Sequence, residues 1–449
     1  MSDDNEGNAA QAAIIKAIRD DPSLYQHQIY LTQRPPIFQT VDMDKLEELA
    51  AEKLRKGNRE RLNSFGKPYG FRQMEDYPRM MVDATVRDLS VTLFGKKYPH
   101  PIILGPVGVQ GIAHEDAELA TARAAQRLKA IYTLSTAASR SIEQVANENG
   151  AGSRWFQLYW PKDNAITLSL LNRAKQNGYS ALVVTLDTIL LGWRPEDLKI
   201  NYLPFIHGVG CQIGFSDPVF MTKCNSIPMD VVPTFPYDPE TLNTLAAGNG
   251  PKTEEFKKIM EIAIRWLKDE VTSGFFRTWS DVGFLRTSWE GPLLLKGIQS
   301  LEDAEKAIDA GVDGIVVSNH GMFFGFSEFP DSEELSGGRQ VDGAIGSLDA
   351  LERIMKSSRV REAQKTGKFT VLFDSGIRTG SDILKALGLG AQAVLVGRSY
   401  MYGLALQGQE GVEEVLKILL SDLNATMGLA GYKDIEDVRS NLLHHLVRA

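Results

Sequence analysis

Eight short apolar runs, each followed by a stretch with the pattern of an amphipathic helix, constrain the fold of this chain more than any other feature. The runs are IILGPV (102–107), IYTLST (131–136), WFQLYW (155–160), ALVVTLD (181–187), LLLKG (293–297), GIVVSN (314–319), TVLFDSG (370–376) and AVLVG (393–397). Runs that are apolar throughout are typical of strands buried on both faces, as in a parallel sheet covered by helices. Eight such units in succession favour a closed (β/α)8 TIM barrel over an open doubly wound sheet.

The segments between the runs support the same architecture. Helices are predicted over 115–128, 164–177, 301–310 and 383–389, and glycines follow several of them as helix C-caps. No Gly-x-Gly-x-x-Gly follows the first run, which counts against a Rossmann domain.

Departures from the repeat define the predicted domain organisation. Residues 1–95 are expected to form a helical segment followed by a hairpin. The helix is predicted to begin at Asp44, where the spacing fits a capping box, and to run to about Leu62. The hairpin is predicted to turn at Gly95-Lys96 and to close the N-terminal end of the barrel. The barrel is assigned to 96–430. Within it, 188–290 after the fourth strand is an expected lid, and 322–338 after the sixth strand is an extra loop. Residues 431–449 form a C-terminal tail.

The composition excludes several classes of protein. The chain has 449 residues, of which 43% are hydrophobic and 24% charged, with a net charge of −8. No basic run is long enough to follow a nucleic-acid backbone. Two cysteines, Cys211 and Cys224, indicate a reducing compartment rather than a disulfide scaffold, and both are expected to be buried. Since no signal peptide, membrane-length apolar run or Ser-Lys-Leu terminus appears, we expect a cytoplasmic protein.

In a TIM barrel the active site lies at the C-terminal ends of the strands, so the residues found there are the candidate site. In strand order they are Gly105, Pro106 and Gly108; Ser135; Gln157 and Tyr159; Thr185 and Asp187; Lys296; Ser318 and His320; Asp374, Gly376 and Arg378; and Gly397 and Arg398. The last two strand ends, FDSGIRTG and VGRS, are typical of a phosphate site in such barrels. A phosphorylated cofactor or substrate is therefore predicted.

Individual residues at these positions suggest chemistry, although each also has a plainer interpretation. Lys296 ends a buried strand and needs an anionic neighbour, which is either a structural ion pair or a cofactor that becomes anionic on reduction. His320 alone is more often a structural histidine, but Asp187 could orient it as a general base. Arg194 and Arg339 could grip a carboxylate or simply be solvated.

At this point the motifs resemble those of a known family. PVGVQG, TLSTAAS, WFQLYWPKD, VTLDTILLGWRPEDL, LLKGIQSLEDAEKAIDAGVDGIVVSNHG, GGRQVDG and VLFDSGIRTGSDILKALGLGAQAVLVGRSY span about residues 40–430. They resemble the FMN-dependent L-2-hydroxyacid oxidases and dehydrogenases. Within that family the chain is most similar to lactate 2-monooxygenase, through GWRPEDL, LPFIHGVG and DPVF in the long fourth loop and PVGV after the first strand.

The resemblance implies FMN as cofactor, a small 2-hydroxy acid as substrate, O2 as electron acceptor, no metal and a homotetramer. It implies that His320 removes the hydroxyl proton of the substrate, Asp187 supports His320, Tyr159 reaches the developing keto oxygen, and Lys296 stabilises the reduced flavin. The residues implied in substrate binding are Arg194, Arg339, Tyr159 and Gly108, the last at a position where many relatives carry Ala. The residues implied in FMN binding are Pro106, Val107, Gly108, Ser135, Gln157, Thr185, Lys296, Ser318, Asp374, Ser375, Gly376, Arg378, Gly397 and Arg398.

Two departures from the family pattern leave the substrate and the outcome open. Where relatives carry a Tyr that helps bind the carboxylate, this chain has Leu62 or Asn63, with Tyr69 nearby. The extra loop also separates His320 from Arg339.

The leading interpretation is oxidation of a small L-2-hydroxy acid to the 2-keto acid with O2. It ends either in decarboxylation, as in lactate 2-monooxygenase, or in release of hydrogen peroxide, including from a substrate other than lactate. Alternatives are a flavin-binding protein without turnover and a flavin-free barrel in which Lys296 forms a Schiff base. A haem-coupled dehydrogenase is disfavoured, because His27 and His100 are the only histidines before the barrel.

Overall fold

The predicted strands close into one parallel barrel in the computed structural model, which describes residues 16, 18, 20–32, 34–54, 74–76, 78–193, 203–232, 234–320, 341, 343–442 and 446–448. The strands are β1 (Met74–Asp76), β2 (Val91–Leu93), β3 (Lys96–Tyr98), β4 (Ile102–Leu104), β5 (Ile131–Leu134), β6 (Arg154–Tyr159), β7 (Leu182–Thr185), β8 (Leu293–Ile298), β9 (Gly314–Val317), β10 (Thr370–Asp374), β11 (Ala393–Val396) and β12 (Leu446–Arg448). Strands β4 to β11 pair in sequence order, and β11 pairs with β4 to complete the ring. The predicted TIM barrel is confirmed.

The helices follow the strands as a TIM barrel requires. Those with described bounds are Tyr25–Thr32, Met43–Lys53, Glu118–Arg127, Ile142–Asn149, Asn164–Gln176, Gln212–Phe215, Pro218–Lys223, Pro239–Ala247, Pro251–Arg265, Val282–Ser288, Leu301–Asp309, Ser347–Met355, Ser358–Lys365, Gly380–Gly388, Arg398–Leu429 and Ile435–Asn441. The four predicted helices are among them, with N-termini that agree or are shifted by three residues and C-termini that end one residue earlier. None of the described helices is both long and apolar enough to cross a membrane.

The barrel strands are apolar throughout because both of their faces are covered. Every residue of β4, β5, β7, β9 and β11 is buried. Gly314 in β9 is required by a close approach, since a Cβ there would lie 2.4 Å from the carbonyl oxygen of Thr370 in β10. The continuous apolar runs therefore predicted the right kind of sheet.

The first predicted helix begins and ends earlier than its sequence suggests. Its N-cap is Asp42, whose carboxylate accepts hydrogen bonds from the backbone N–H groups of Asp44 (2.8 Å) and Lys45 (3.4 Å). The capping box expected at Asp44 is therefore wrong, because Asp42 already satisfies the first free N–H groups. The helix ends at Lys53, since Leu54 is extended with a ψ of 151°.

The predicted hairpin is present before the barrel, with its turn one residue earlier. Phe94 and Gly95, with φ of 51° and 76°, form the turn between β2 and β3, and Lys96 already belongs to β3. The Phe94 ring lies 5.9 Å from that of Trp155, near the start of β6. The hairpin thus contacts the N-terminal end of the barrel through Phe94.

The long loop between β7 and β8 forms a helical layer, which we call the lid (residues 203–232 and 234–290 of the described chain). It contains five of the helices above, a 3-10 turn at Pro204–His207 and a π-helix at Trp266–Val271. The imidazole of His207 ties it together, at 2.7 Å from the Tyr237 hydroxyl and 2.9 Å from Asn243 Oδ1. The lid is therefore a packed element with its own internal contacts.

The two cysteines are unpaired, and they differ in burial. Cys211 is fully buried in the lid, as expected, whereas Cys224 is only partly buried. Burial raises the pKa of both thiols, so neither has the character of a reactive thiolate.

The described residues that follow the barrel pack against the region that precedes it. Strand β12 pairs antiparallel with β1, and the backbone N–H of Asp88 donates to the carbonyl of Lys433.

Several predictions fall outside the described residues. They are the extra loop at 322–338, Arg194, Arg339, Leu62, Asn63 and Tyr69.

Candidate active site

A cleft opens at the C-terminal ends of the strands, with about 800 Å³ of empty space that includes open solvent. It lies where the TIM-barrel fold places active sites. Most of the residues predicted to bind a cofactor line it: Pro106, Val107, Gly108, Thr185, Lys296, Asp374, Ser375, Gly376, Arg378, Gly397 and Arg398. Strand ends far apart in sequence therefore form one continuous surface.

One end of this cleft is strongly cationic. Arg378 is buried and donates from Nη1 to the carbonyl of Ile377 at 3.0 Å, while its Nε and Nη2 have no hydrogen-bond partner among the described residues. Burial, and then the positive charge of Arg378, lower the pKa of Arg398 to about 10. Two guanidinium groups that repel each other in a buried place are stabilised by an anion with several acceptor oxygens.

The backbone at the same end also suits an anion. Gly397 is the N-cap of helix Arg398–Leu429, so free N–H groups and the positive end of the helix dipole lie at the cleft. Ser375 and Gly376 both have positive φ, 88° and 93°, which turns the chain sharply after β10. A serine in that conformation is strained, as residues at functional sites often are.

The middle of the cleft holds a buried ion pair. Lys296 Nζ lies 3.1 Å from Asp374 Oδ2 and donates to Ser318 Oγ at 3.1 Å, and the Ser318 hydroxyl donates to Asp374 at 2.9 Å. Burial alone would lower the pKa of Lys296, but the negative charges of Asp374 and Asp187 raise it above its usual value. Lys296 is therefore a fixed positive charge at neutral pH, with an anionic partner as the sequence required.

His320 and Asp187 form the second charged contact of the site. Nδ1 of His320 lies 2.7 Å from Asp187 Oδ1, and the Thr188 hydroxyl donates to the same oxygen at 3.1 Å. Burial would raise the pKa of Asp187, but the charge and hydrogen bond of His320, followed by the charge of Lys296, lower it to about 2. Asp187 thus stays ionised over the physiological range.

The backbone of His320 is also held in an unusual conformation. Its φ is 61°, in the left-handed region that residues other than glycine rarely adopt. Its N–H donates to the hydroxyl of Ser318 at 3.0 Å, which ties it to the Lys296 ion pair. The imidazole is therefore positioned by contacts at both its ring and its backbone.

Three of the residues predicted to bind FMN, Ser135, Gln157 and Ser318, are buried and do not line the cleft. Ser135 donates to Gln157 Oε1 at 3.1 Å, and Gln157 Nε2 donates to the Thr185 hydroxyl at 2.9 Å. These three side chains form a buried row, of which Thr185 also lines the cleft. Ser318 is likewise buried and reaches the site through Lys296 and Asp374.

Gly105 has a structural place in the barrel. Its N–H donates to the carbonyl of Val396 at 2.8 Å, next to the pairing of β4 with β11 that closes the ring.

A second cavity, which we call the chamber, adjoins the cleft under the lid. Gly108, Tyr159 and His320 line both spaces. The rest of its lining is Thr136, Ala137, Thr188, Leu191, Phe205, Gly210, Trp266, Leu267, Val271 and Thr272. The sequence did not identify the lid residues in this list as part of a site. An apolar stripe such as 262–267 predicts burial but does not show which surface it contacts. Thr188 could have been suspected from its place beside Asp187.

Gly108 has no room for a larger side chain. A Cβ at this position would lie 2.5 Å from both the Cβ and the carbonyl oxygen of Ala137. The backbone at Gly108, which lines both spaces, is therefore packed directly against Ala137.

The cleft fits FMN by the chemistry of its residues. The unsatisfied guanidinium nitrogens of Arg378, next to Arg398, suit a terminal phosphate dianion. Lys296, at the end of a different strand, supplies another positive charge to the same cleft. A phosphate and a fused ring that gains negative charge on reduction match these positive charges.

Comparisons with known proteins agree with this geometry. The family model described as FMN-dependent dehydrogenase matches residues 45–445. An FMN-dependent alpha-hydroxy acid dehydrogenase of Penicillium citrinum is 43% identical over 93% of this chain and 91% of its own length. An L-lactate oxidase of Lysinibacillus sphaericus is 37% identical over 82% of each chain.

A solved structure shows the same architecture. A mandelate oxidase with (S)-4-hydroxymandelic acid superposes with a TM-score of 0.66 at 31% identity, covering 91% of this chain and 99% of that one. Together with the barrel, the cationic end of the cleft and the family match over most of the sequence, this decides the assignment. The chain belongs to the FMN-dependent dehydrogenase family, and its cofactor is FMN.

Proposed function

We propose that the protein oxidises an L-2-hydroxy acid to the corresponding 2-keto acid, with O2 as electron acceptor. The observation that carries the proposal is the 2.7 Å contact between His320 Nδ1 and ionised Asp187, next to the buried charge of Lys296. Such an arrangement suits removal of a hydroxyl proton beside a group that takes up electrons.

His320 is the proposed general base. Ionised Asp187 can only accept hydrogen bonds, so Nδ1 carries the proton of the neutral ring and Nε2 is left to accept the hydroxyl proton of the substrate. When the imidazole becomes positive, the carboxylate 2.7 Å away stabilises it. Asp187 therefore orients His320 and stabilises the imidazolium that forms when the ring takes up the proton.

The remaining roles follow from charge. Bound FMN would supply the acceptor for the hydride equivalent, one hydrogen with two electrons, that leaves the α-carbon of the substrate. Lys296 stabilises the negative charge that builds up in the cleft, and its own charge is maintained by Asp374 at 3.1 Å. Tyr159, at the junction of cleft and chamber, donates a hydrogen bond to the substrate oxygen as it becomes a carbonyl. Arg194 and Arg339 bind the carboxylate in this proposal.

The relatives support a 2-hydroxy acid as the substrate class. One is named an alpha-hydroxy acid dehydrogenase, one an L-lactate oxidase and one a mandelate oxidase. Their substrates share a hydroxyl on the carbon next to a carboxylate and differ in the side chain. An oxidase that releases hydrogen peroxide and a lactate 2-monooxygenase-like enzyme share the first half of the reaction. They differ in whether the keto acid leaves before it reacts with the peroxide.

Anaerobic mixing of the FMN-loaded protein with a panel of acids tests the proposal. L-Lactate, glycolate, L-2-hydroxybutyrate and (S)-mandelate are mixed with it while the flavin absorbance is followed, with the opposite enantiomers of the three chiral acids as controls. We expect at least one L-acid to bleach the flavin, and air to restore the colour. Failure of every acid to bleach it would overturn the proposal in favour of a flavin-binding protein without turnover. Yields of CO2 and hydrogen peroxide in air then separate the monooxygenase from the oxidase.

A further inference from the structure

The chamber under the lid is lined mainly by carbon. It holds about 520 Å³ of space that is free of protein atoms, a volume that includes open solvent. Among its described lining residues, His320 and Tyr159 are the ones with ionisable side chains. Both lie at the junction with the cleft, so the far wall of the chamber is apolar: Leu191, Phe205, Trp266, Leu267 and Val271.

The threonines that line the chamber do not make it polar. The Thr136 hydroxyl donates to the carbonyl of Gln157 at 2.6 Å, that of Thr188 to Asp187 at 3.1 Å, and that of Thr272 to the carbonyl of Leu267 at 2.9 Å. Their donors are therefore already used within the protein. A polar or charged group that entered the chamber would lose its water without gaining hydrogen-bond donors from these hydroxyls.

Trp266 is the most firmly held part of the apolar wall. It is 2% exposed, and its ring meets that of Phe220 edge-on at 4.9 Å. On another side it lies against Gly214, where a Cβ would come within 2.4 Å of the indole. It also begins the π-helix Trp266–Val271, an irregularity often found at functional sites. These contacts oppose a movement of the indole away from the chamber.

We propose that the chamber receives the side chain of the substrate, that this side chain is apolar and longer than methyl, and that Trp266 limits its length. The inference rests on the proposed function, because Gly108, Tyr159 and His320 mark the place where the reacting carbon lies between cleft and chamber. The substrate class is then a 2-hydroxy acid with a hydrocarbon side chain of several carbons.

The chain-length dependence of catalysis tests the inference. Glycolate, L-lactate, L-2-hydroxybutyrate, L-2-hydroxypentanoate, L-2-hydroxy-4-methylpentanoate and L-2-hydroxyoctanoate form the series, with L-malate as the charged comparison. We expect kcat/KM to rise about fourfold for each added CH2 that is buried, and then to fall once the wall is reached. L-Malate should be a poorer substrate than L-2-hydroxybutyrate.

Binding provides a readout that does not depend on turnover. Calorimetric Kd values for pyruvate, 2-oxobutanoate, 2-oxopentanoate and 4-methyl-2-oxopentanoate should follow the same order as the acids. The heat capacity change of binding should become more negative with chain length, since apolar area is buried.

Substitution of Trp266 tests the length limit. Trp266→Ala should raise the ratio of kcat/KM for the C8 acid to kcat/KM for the C5 acid at least about tenfold. Trp266→Phe should raise the same ratio by less. The phenylalanine variant keeps the test possible if the alanine variant does not fold. Trp289→Phe is the matched control: this indole is equally buried but precedes β8, with its N–H bonded to Pro292 at 3.1 Å, and the ratio should not change.

The outcomes distinguish a failure of the proposed function from a failure of the side-chain inference. If no acid bleaches the flavin, the proposed function fails. If acids bleach it but glycolate, L-lactate or L-malate is the best substrate, or if the ratio is unchanged in both Trp266 variants, the side-chain inference fails and the proposed function stands.

Discussion

The charged cluster at the strand ends and the apolar chamber under the lid meet at His320, yet they are built in different ways. In the cluster, residues from four strands or their ends are tied by polar contacts of 2.7 to 3.1 Å, such as His320–Asp187 and Lys296–Asp374. In the chamber, the far wall comes from the loop after β7 and is held by ring packing. Under the proposed function, the strand ends of the barrel carry out the chemistry and the loop after β7 selects the side chain of the substrate.

This difference predicts different consequences of substitution. Removing one member of the cluster leaves a buried charge without its partner, which is costly and alters the chemical step. Removing a chamber residue leaves extra space, which alters how a side chain fits. Substitutions in the cluster should therefore change the rate of flavin reduction, whereas those in the chamber should change the ranking of substrates.

The largest effect is expected from His320→Ala. Loss of the base should slow anaerobic flavin reduction by about 10²- to 10⁴-fold, in line with the usual contribution of general base catalysis. FMN should stay bound, because the cationic end of the cleft is untouched. Stopped-flow absorbance measures the rate, and the flavin spectrum measures occupancy. A variant that reduces its flavin at close to the wild-type rate would show that His320 is not the base.

The next effect concerns the anion-binding end of the cleft. Arg378→Met removes a guanidinium whose Nε and Nη2 are otherwise unsatisfied, so the affinity for FMN should fall about 10- to 100-fold, the worth of one or two charge-assisted hydrogen bonds. Fluorescence titration of the apoprotein with FMN measures the Kd.

Arg359→Met provides the control for this substitution. Arg359 is exposed and pairs with Asp309 on the surface, so its loss should leave the Kd for FMN unchanged. Equal affinities for all three proteins would mean that the phosphate does not lie against Arg378.

The two regions also differ in how far the sequence revealed them. The barrel could be predicted because apolar runs of strand length repeat eight times, and the site because this fold gathers the ends of its strands. The chamber could not, since the contact of Trp266 with Gly214 joins residues 52 positions apart and leaves no periodic signal. Asp44 was mistaken for the helix cap because Asp42, two positions earlier, has the same side chain. Arg194 and Arg339 remain predictions from the motifs.

A smaller effect is expected at the junction of the two regions. In Gly108→Ala the new methyl would meet Ala137 at 2.5 Å, including a carbonyl oxygen that can move only with the backbone. Overpacking of this kind lowers the free energy of unfolding by about 2 kcal/mol. The accompanying displacement of the backbone should also change the rate of flavin reduction.

Urea unfolding and stopped-flow measurements together check this expectation. Gly283→Ala is the control, because a Cβ there meets nothing within 4 Å and lies in helix Val282–Ser288, where alanine should stabilise. If Gly108→Ala were as stable and as fast as wild type, the loop carrying Ala137 would have to be more adaptable than its packing indicates.

The smallest effect lies at the opposite end of the barrel and should touch neither region. His100 accepts the N–H of Ile102 at Nδ1 (3.3 Å) and donates from Nε2 to the carbonyl of Leu128 (3.1 Å), and burial lowers its pKa from 6.5 to about 4. Between these values the unfolded chain binds a proton that the folded chain does not. The contribution of His100 to the free energy of unfolding is therefore fully present above pH 6.5 and is lost as the pH drops towards 4. At pH 5.5 the loss is about 1.4 kcal/mol.

His100→Gln should abolish this part of the acid sensitivity, at the cost of some stability at pH 7. Urea unfolding at pH 7 and pH 5.5 should show a smaller difference in the variant than in wild type. His27→Gln, at an exposed histidine, should keep the wild-type difference. Because His100 precedes β4 at the end of the barrel remote from the cleft, kcat/KM at pH 7 should be the same in all three proteins. A change in kcat/KM would mean that the two ends of the barrel are coupled.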